Sequence, residues 1–163
     1  MPRSHSHPPT LGAVVVALLS ISIAATSLNA SAEVVLEDFW IRAMPPGQPM
    51  AAGYGAIVNR GDKPVQITGL SSNIAQHAEL HSSVHDNGRV HMMPMTLAPL
   101  APGARIELSP GGDHLMLMGV TQAPQMGGKV ELCISLTDTD VSESSQACHE
   151  IPVLQKAPSQ GED

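Results

Sequence analysis

From residue 34 onward, the chain alternates short apolar or polar-apolar runs with turns rich in Gly, Pro, Asn and Asp. Runs of this length at near-regular spacing are typical of antiparallel β-sandwiches and barrels. We therefore predict an all-β domain with strands in the segments VVLEDFWIRAM, MAAGYGAIVN, VQITGLSS, HAELHSSV, VHMMPM, RIELSP, HLMLMGV, KVELCISL and QACHEIPV. A kink is expected in the first of these strands. A short helix across SSNIAQHAEL is the alternative for that segment, because it has some helical character.

The core of this domain must be mainly aliphatic, because the sequence holds one Phe, one Trp and one Tyr. Aromatic side chains are usually buried at least in part. We expect Phe39, Trp40 and Tyr54 to lie in or near the core, without a functional role.

The N-terminus has the features of a secretory signal peptide. A basic start precedes an apolar run at residues 11–25, and Ala30-Ser31-Ala32 supplies the small residues that signal peptidase reads. We expect cleavage near Ala32 and a periplasmic or otherwise exported protein. An uncleaved anchor is the competing interpretation, although the run is shorter than the roughly 20 residues of a spanning helix. The predicted organisation is a leader at 1–32, one domain at 33–155 and a flexible tail at 156–163.

The charge balance limits the partners. The formal net charge is −7, and every acidic residue lies after the predicted leader. Binding to nucleic acid or to anionic lipid requires a basic patch, so both are excluded as functions.

The two cysteines, Cys133 and Cys148, fit an oxidising compartment. They lie in the last two predicted strands, on either side of the turn TDTDVSESS. A hairpin centred between Asp140 and Val141 places them directly opposite each other, so we predict a cross-strand disulfide. Two thiolates bound to a metal are the alternative.

Histidine and methionine are concentrated in three segments, HAELHSSVH, HMMPM and HLMLM. In a strand, alternate residues share a face, so His114 and Met116 point to one side with Met118, and the leucines between them point to the other. A hairpin around residues 86–88 brings His81 opposite the Met92 region.

The donor types indicate which metal such a cluster could bind. Hard cations prefer oxygen, and zinc prefers thiolate, imidazole or carboxylate. Imidazole with thioether suits Cu(I) best, with Cu(II) as the runner-up. Simple packing of methionines and solvation of histidines is the other interpretation, and the residues alone leave both open.

The spacing of four of these residues resembles a known signature. His81, Met92, His114 and Met116 follow the pattern His-x10-Met-x21-His-x-Met, which is that of the periplasmic copper chaperones called PCuAC. The segments RAMPPGQPMAAGY, ELH and PGGDHLMLMGV are also similar to that family, and the resemblance extends over about 35–154.

The resemblance implies an all-β, cupredoxin-like Greek-key sandwich or barrel with those four residues as copper ligands. It further implies a non-enzymatic chaperone that carries Cu(I) to the copper centre of cytochrome c oxidase. The implied acceptors are a Sco-type protein or the copper-bearing oxidase subunit, and a membrane is contacted only through the acceptor.

Several alternatives remain open at this level. Met93 replaces Met92 as ligand if a bulge shifts the register. The other residues of the clusters are His77, His85, His91, Met93, Met95 and Met118. Considered one by one, each is interpreted as a surface histidine or a packing methionine. The alternative is that together they form an entry route for copper or a second, weaker copper site. General copper storage or resistance, electron transfer as in blue copper proteins, and a non-metal interaction module are the alternative functions. No catalytic motif is present, so an enzyme is not expected.

Overall fold

The computed structural model of the chain describes residues 34–139 and 144–158. The predicted leader and the end of the predicted tail, residues 159–163, lie outside this part. Within it every regular element is a strand, and none of it forms a helix that could cross a bilayer. The strands are β1 (Val34–Arg42), β2 (Met50–Asn59), β3 (Val65–Ser72), β4 (Ala75–Asp86), β5 (Arg89–Pro94), β6 (Arg105–Leu108), β7 (His114–Val120), β8 (Lys129–Asp138) and β9 (Ser144–Leu154).

Seven of the described strands close into a barrel. Neighbours follow the order β1-β9-β8-β3-β4-β7-β2, and β2 pairs with β1 to complete the ring. The β1–β9 pair is parallel and the other pairs are antiparallel. β6 pairs with the second half of β2, and β5 pairs with β4. The predicted all-β fold is confirmed.

Alternate residues of the strands fill the interior. Leu115 and Leu117 of β7 are fully buried and belong to the same aliphatic cluster as Ile41 of β1. Full burial of such a side chain stabilises the fold by about 1.5–3 kcal/mol. Because side chains alternate across a strand, His114 and Met116 point outward from the barrel.

The three aromatic residues are buried, as predicted. Phe39 belongs to the core cluster, whereas Trp40 and Tyr54 form a cross-strand pair with ring centroids 5.0 Å apart. The guanidinium of Arg42 lies 5.9 Å from the Trp40 ring centroid and 5.2 Å from that of Tyr54. This cation–π contact covers the aromatic pair.

The expected kink of β1 is a β-bulge. The β1–β2 register shifts between Glu37 and Trp40, and Asp38 adopts a φ of 49°. A Cβ on Gly55 of the facing strand would lie 2.6 Å from the Phe39 Cα. Glycine at this position therefore lets the two backbones approach at the bulge.

The helix considered for SSNIAQHAEL is wrong: the segment is the end of β3, a turn at Asn73-Ile74 and the start of β4. The Ile74 side chain is buried in the core, and the Asn73 Oδ1 accepts a hydrogen bond from the Glu131 backbone N–H at 3.0 Å. Tertiary contacts of two adjacent residues thus outweigh the weak helical preference of this segment.

The last hairpin has the predicted register. Cys133 lies opposite Cys148 in the β8–β9 ladder, and the two form a disulfide. The alternative of two metal-bound thiolates is wrong, because the sequence holds two cysteines and both are in this bond.

Candidate metal site

The 12-residue strand β4 positions the candidate site. Its His81 pairs with His114 of β7 on one edge, and β5 pairs along the other edge from the same residue onward. The β4–β5 turn contains Asn87 at φ 48° and Gly88 at φ 76°, the left-handed pair that favours a tight hairpin. The β4–β5 hairpin thus extends the outer face of the barrel beyond the two histidines.

His81 and His114 are neighbours on this outer face and are nevertheless buried. Directly opposite residues of an antiparallel pair project to the same side, and the two ring centroids are 6.2 Å apart. The ring of His114 donates from Nδ1–H to the Gly112 carbonyl oxygen at 3.0 Å. A carbonyl can only accept, so the hydrogen is on Nδ1 and the lone pair of a neutral ring is on Nε2.

His81 has the opposite arrangement of its ring nitrogens. Its Nε2–H donates to the Glu79 Oε2 at 3.1 Å, whereas its Nδ1 is buried without a hydrogen-bond partner. Buried polar atoms without a partner are uncommon in folded proteins and call for an explanation. A metal ion bound at Nδ1 would supply the missing partner, with Glu79 as the carboxylate that orients the ring.

The turn before β7 holds the Gly112 carbonyl in place. The Gly112 N–H donates to the Ser109 carbonyl at 3.0 Å, and the Ser109 N–H donates to the Asp113 carbonyl at 2.8 Å. The Ser82 hydroxyl of β4 donates to Asp113 Oδ1 at 2.6 Å. The turn is therefore tied both to itself and to the strand that carries His81.

The β4–β5 register decides which methionine shares the face of the histidines. Met92 lies opposite Ser83, two residues beyond His81, whereas Met93 lies opposite Ser82 and projects to the other side. The pairing continues to the turn without a shift, so the bulge that would favour Met93 does not occur. Both methionines are exposed, with relative residue accessibilities of 57% for Met92 and 56% for Met93.

Met116 lies two residues after His114 in β7, on the side of the histidine pair that faces away from the β4–β5 hairpin. It is opposite Glu79 of β4 on one side and Ala52 of β2 on the other, and it is partly buried. On the hairpin side, a cavity of about 220 Å³ is lined by residues that include His114, Met92, His85 and Tyr54. The two thioethers thus flank the histidine pair from opposite ends of the same face.

The donors available at this face are imidazole and thioether. No group of three His, Cys, Asp or Glu side chains with the arrangement of a metal site occurs in the parts of the chain described. The nearby Glu79 carboxylate is engaged by His81. Such a set of neutral, soft to borderline donors is suited to Cu(I).

Glu79 is a functional residue that the His/Met spacing does not include. A signal existed, since residues two apart on a strand share a face and Glu79 precedes His81 by two. The other histidines and methionines of the three segments lie outside the set of four: Met95 packs against the core, His85 lines the cavity, His77 lies opposite Met118, and His91 and Met93 are exposed.

Comparison with known proteins establishes the family. The family described as "Putative lipoprotein LpqE-like" matches residues 34–146 of this chain. The chain belongs to the LpqE-like family. A curated relative, "Putative lipoprotein Lxx21020" of Leifsonia xyli subsp. xyli, is 30% identical to this LpqE-like chain in an alignment of 134 positions that covers 77% of this chain and 80% of the relative.

Solved structures share the fold of this LpqE-like chain. The copper-bound PCuAC domain from PmoF2 is 22% identical, with a TM-score of 0.54, and the match covers 78% of this chain and 97% of that domain. The Cu(I) form of DR1885 from Deinococcus radiodurans is 25% identical, with a TM-score of 0.53, over 81% of this chain and 86% of that protein. The predicted resemblance to PCuAC proteins is confirmed in the fold.

Proposed function

We propose that this protein is an exported copper chaperone that holds Cu(I) between His81, Met92, His114 and Met116. The observation that carries the proposal is the histidine pair. In each ring one nitrogen donates a hydrogen bond to a protein oxygen, which leaves the other nitrogen available as a ligand. For His81 that nitrogen is buried and otherwise unpartnered.

The thioethers explain why Cu(I) rather than a harder ion is proposed. Thioether sulfur is a neutral, soft donor that selects Cu(I). The ligands leave the single charge of the ion uncancelled, and the net charge of −7 favours its approach. The copper-bound PmoF2 domain and the Cu(I) form of DR1885, which share this fold, support the same cargo.

The arrangement of the four ligands suits the transport and delivery of copper rather than catalysis or electron transfer. Two imidazoles and two thioethers complete a four-coordinate ion, and Met92 at the exposed hairpin can be replaced by a ligand of an acceptor protein. A blue copper centre requires a Cys thiolate, and both cysteines of this chain are joined to each other.

We infer that the ion is delivered outside the cytoplasm. The lipoprotein names of the family and of the relative support export, in agreement with the predicted leader at 1–32. The proposed acceptor is a Sco-type protein or the copper-bearing subunit of cytochrome c oxidase, reached by direct ligand exchange.

A competition titration tests the binding site. Anaerobic Cu(I) is titrated against a chromophoric Cu(I) chelator with wild type, Met92→Leu, His114→Gln and Met93→Leu. Met93→Leu is the matched control, because Met93 is adjacent to Met92 and equally exposed but lies on the opposite face. Met92→Leu and His114→Gln should weaken binding while Met93→Leu retains it. Equal affinity of all four proteins would refute the site.

Two further measurements test the ligand set and the delivery. X-ray absorption of the Cu(I) protein should count two sulfur and two nitrogen neighbours. Transfer is measured by mixing the Cu(I) protein with the soluble domain of an apo acceptor and following copper on each after separation. Retention of all copper by this protein in the presence of a tighter-binding acceptor would favour storage over delivery.

A further inference from the structure

A second group of soft donors lies on the same outer face of the barrel, beyond Met116 along β7. Met118 of β7 is directly opposite His77 of β4 on one side and directly opposite Met50 of β2 on the other. None of these three residues belongs to the proposed ligand set. Directly opposite residues on neighbouring strands project together.

Burial of the adjacent residues confirms that the three side chains point outward. Each lies next to a core residue in its strand: Met118 next to Leu117, His77 next to Ala78 and Met50 next to Ala51. Met50 is 48% exposed, His77 is exposed and Met118 is partly buried. The donors are therefore accessible to an ion from solvent.

The spacing of the strands allows the three donors to share one ion. Neighbouring strands lie about 4.8 Å apart, so Met118 is central, with the other two one strand away on either side. Methionine has three rotatable bonds and a polarizable sulfur, which lets both thioethers turn toward a common point above Met118. Two thioethers with one imidazole again select a soft ion.

We propose that Met50, Met118 and His77 form a second binding site for a soft monovalent ion, Cu(I). The next residue on the same face of β7 is Met116, at the edge of the first site, about 6.6 Å away along the strand. An ion held at the second site is thus one ligand exchange from the chaperone site. This transfer rests on the proposed function, whereas binding at Met50, Met118 and His77 does not.

The second site is expected to bind more weakly than the first. It supplies three donors instead of four, and two of them are exposed. Its backbone frame is nevertheless fixed, because all three residues lie in paired strands of the closed barrel.

The experiment follows methionine methyl groups by NMR in the full chain labelled with 13C at the methionine methyl carbon. Ag(I), a redox-stable soft monovalent ion, is the probe, and single Met→Leu variants assign the signals. Met92 and Met116 should shift with the first equivalent, and Met50 and Met118 with the second. Met126, which is 68% exposed and lies outside the strands, should not shift with either.

Variants separate this site from the chaperone site. Met50→Leu, at an exposed position, and His77→Gln should each abolish the shift of Met118 while Met92 still responds. Met126→Leu is the matched control and should leave both responses unchanged. Binding at Met50 and Met118 without a response of Met92 and Met116 would refute the chaperone site alone.

Three results would overturn the second site. The first is no shift of Met50 and Met118 at excess Ag(I). The second is a shift that occurs only together with that of Met126, which would indicate unspecific thioether binding. The third is a Met118 shift that persists in both Met50→Leu and His77→Gln.

Discussion

The role assigned to Glu79 can be tested by removing its carboxylate. Glu79 accepts the hydrogen bond of the His81 Nε2 at 3.1 Å, and this bond directs the buried Nδ1 of the same ring toward the proposed ion. In Glu79→Ala the ring loses its orienting partner. We expect Cu(I) affinity to fall while the protein stays folded.

The magnitude follows from the exposure of the pair. Outer carboxylates that orient metal-bound histidines contribute about 10–100-fold to metal affinity. The Glu79 side chain is 49% exposed whereas that of His81 is 9% exposed, so solvent screens the carboxylate and the lower end applies. A loss of about tenfold corresponds to about 1.4 kcal/mol of binding free energy. The effect on unfolding free energy should stay below about 1 kcal/mol, as for other exposed pairs.

The assay is an anaerobic competition titration with a Cu(I) chelator, together with a thermal unfolding curve of each protein. Glu79→Gln keeps an acceptor oxygen and should lose less affinity than Glu79→Ala. Glu150→Ala is the control, because Glu150 pairs with Lys129 on the β8–β9 hairpin and has no contact with the site. An affinity of Glu79→Ala equal to that of Glu150→Ala would refute the orienting role. A drop in affinity that tracks a drop in melting temperature would reassign the effect to stability.

Three other predictions concern the scaffold. Leu115→Ala removes a fully buried side chain of β7 and should lower the unfolding free energy by about 2–5 kcal/mol, measured by urea denaturation. Replacing both Cys133 and Cys148 by Ser opens a bond across a sequence separation of 15; the unfolding free energy should fall by up to about 3 kcal/mol, with Cu(I) affinity unchanged. Asn59→Ala removes side-chain hydrogen bonds to the Leu100 and Lys63 carbonyls at 2.9 and 2.7 Å; because Asn59 is buried, the loss should be about 1–3 kcal/mol, read from the same urea curves.

Each of these has a result that contradicts it. A Leu115→Ala protein as stable as wild type would mean that the barrel core collapses into the space without cost. Loss of copper binding in the double Cys→Ser protein would show that the disulfide shapes the site. An Asn59→Ala protein without a stability change would mean that solvent replaces the Asn59 contacts.

The strands and their faces could be predicted from the sequence because they depend on local alternation and on turn residues. β3 and β7 have the predicted bounds, and the hairpin register places Cys133 opposite Cys148 as expected. The direction of Leu115 and Leu117 into the core follows from the same period of two. The segment at Asn73-Ile74 could not be predicted in this way, because its conformation depends on contacts with β8 and the core.

For the candidate site, the sequence determined the donor types and their spacing, and these already favour a soft copper ion. Only the tertiary structure decided how the donors meet. Pairing of β4 with both β7 and β5 brings His81 beside His114 and puts Met92, not Met93, on their face. The tertiary structure also determines which nitrogen of each ring is available to bind a metal, because the other nitrogen donates a hydrogen bond to the Glu79 carboxylate in His81 and to the Gly112 carbonyl in His114. Such contacts join residues whose partners depend on strand pairing across the barrel, and no periodicity within a single strand contains that information.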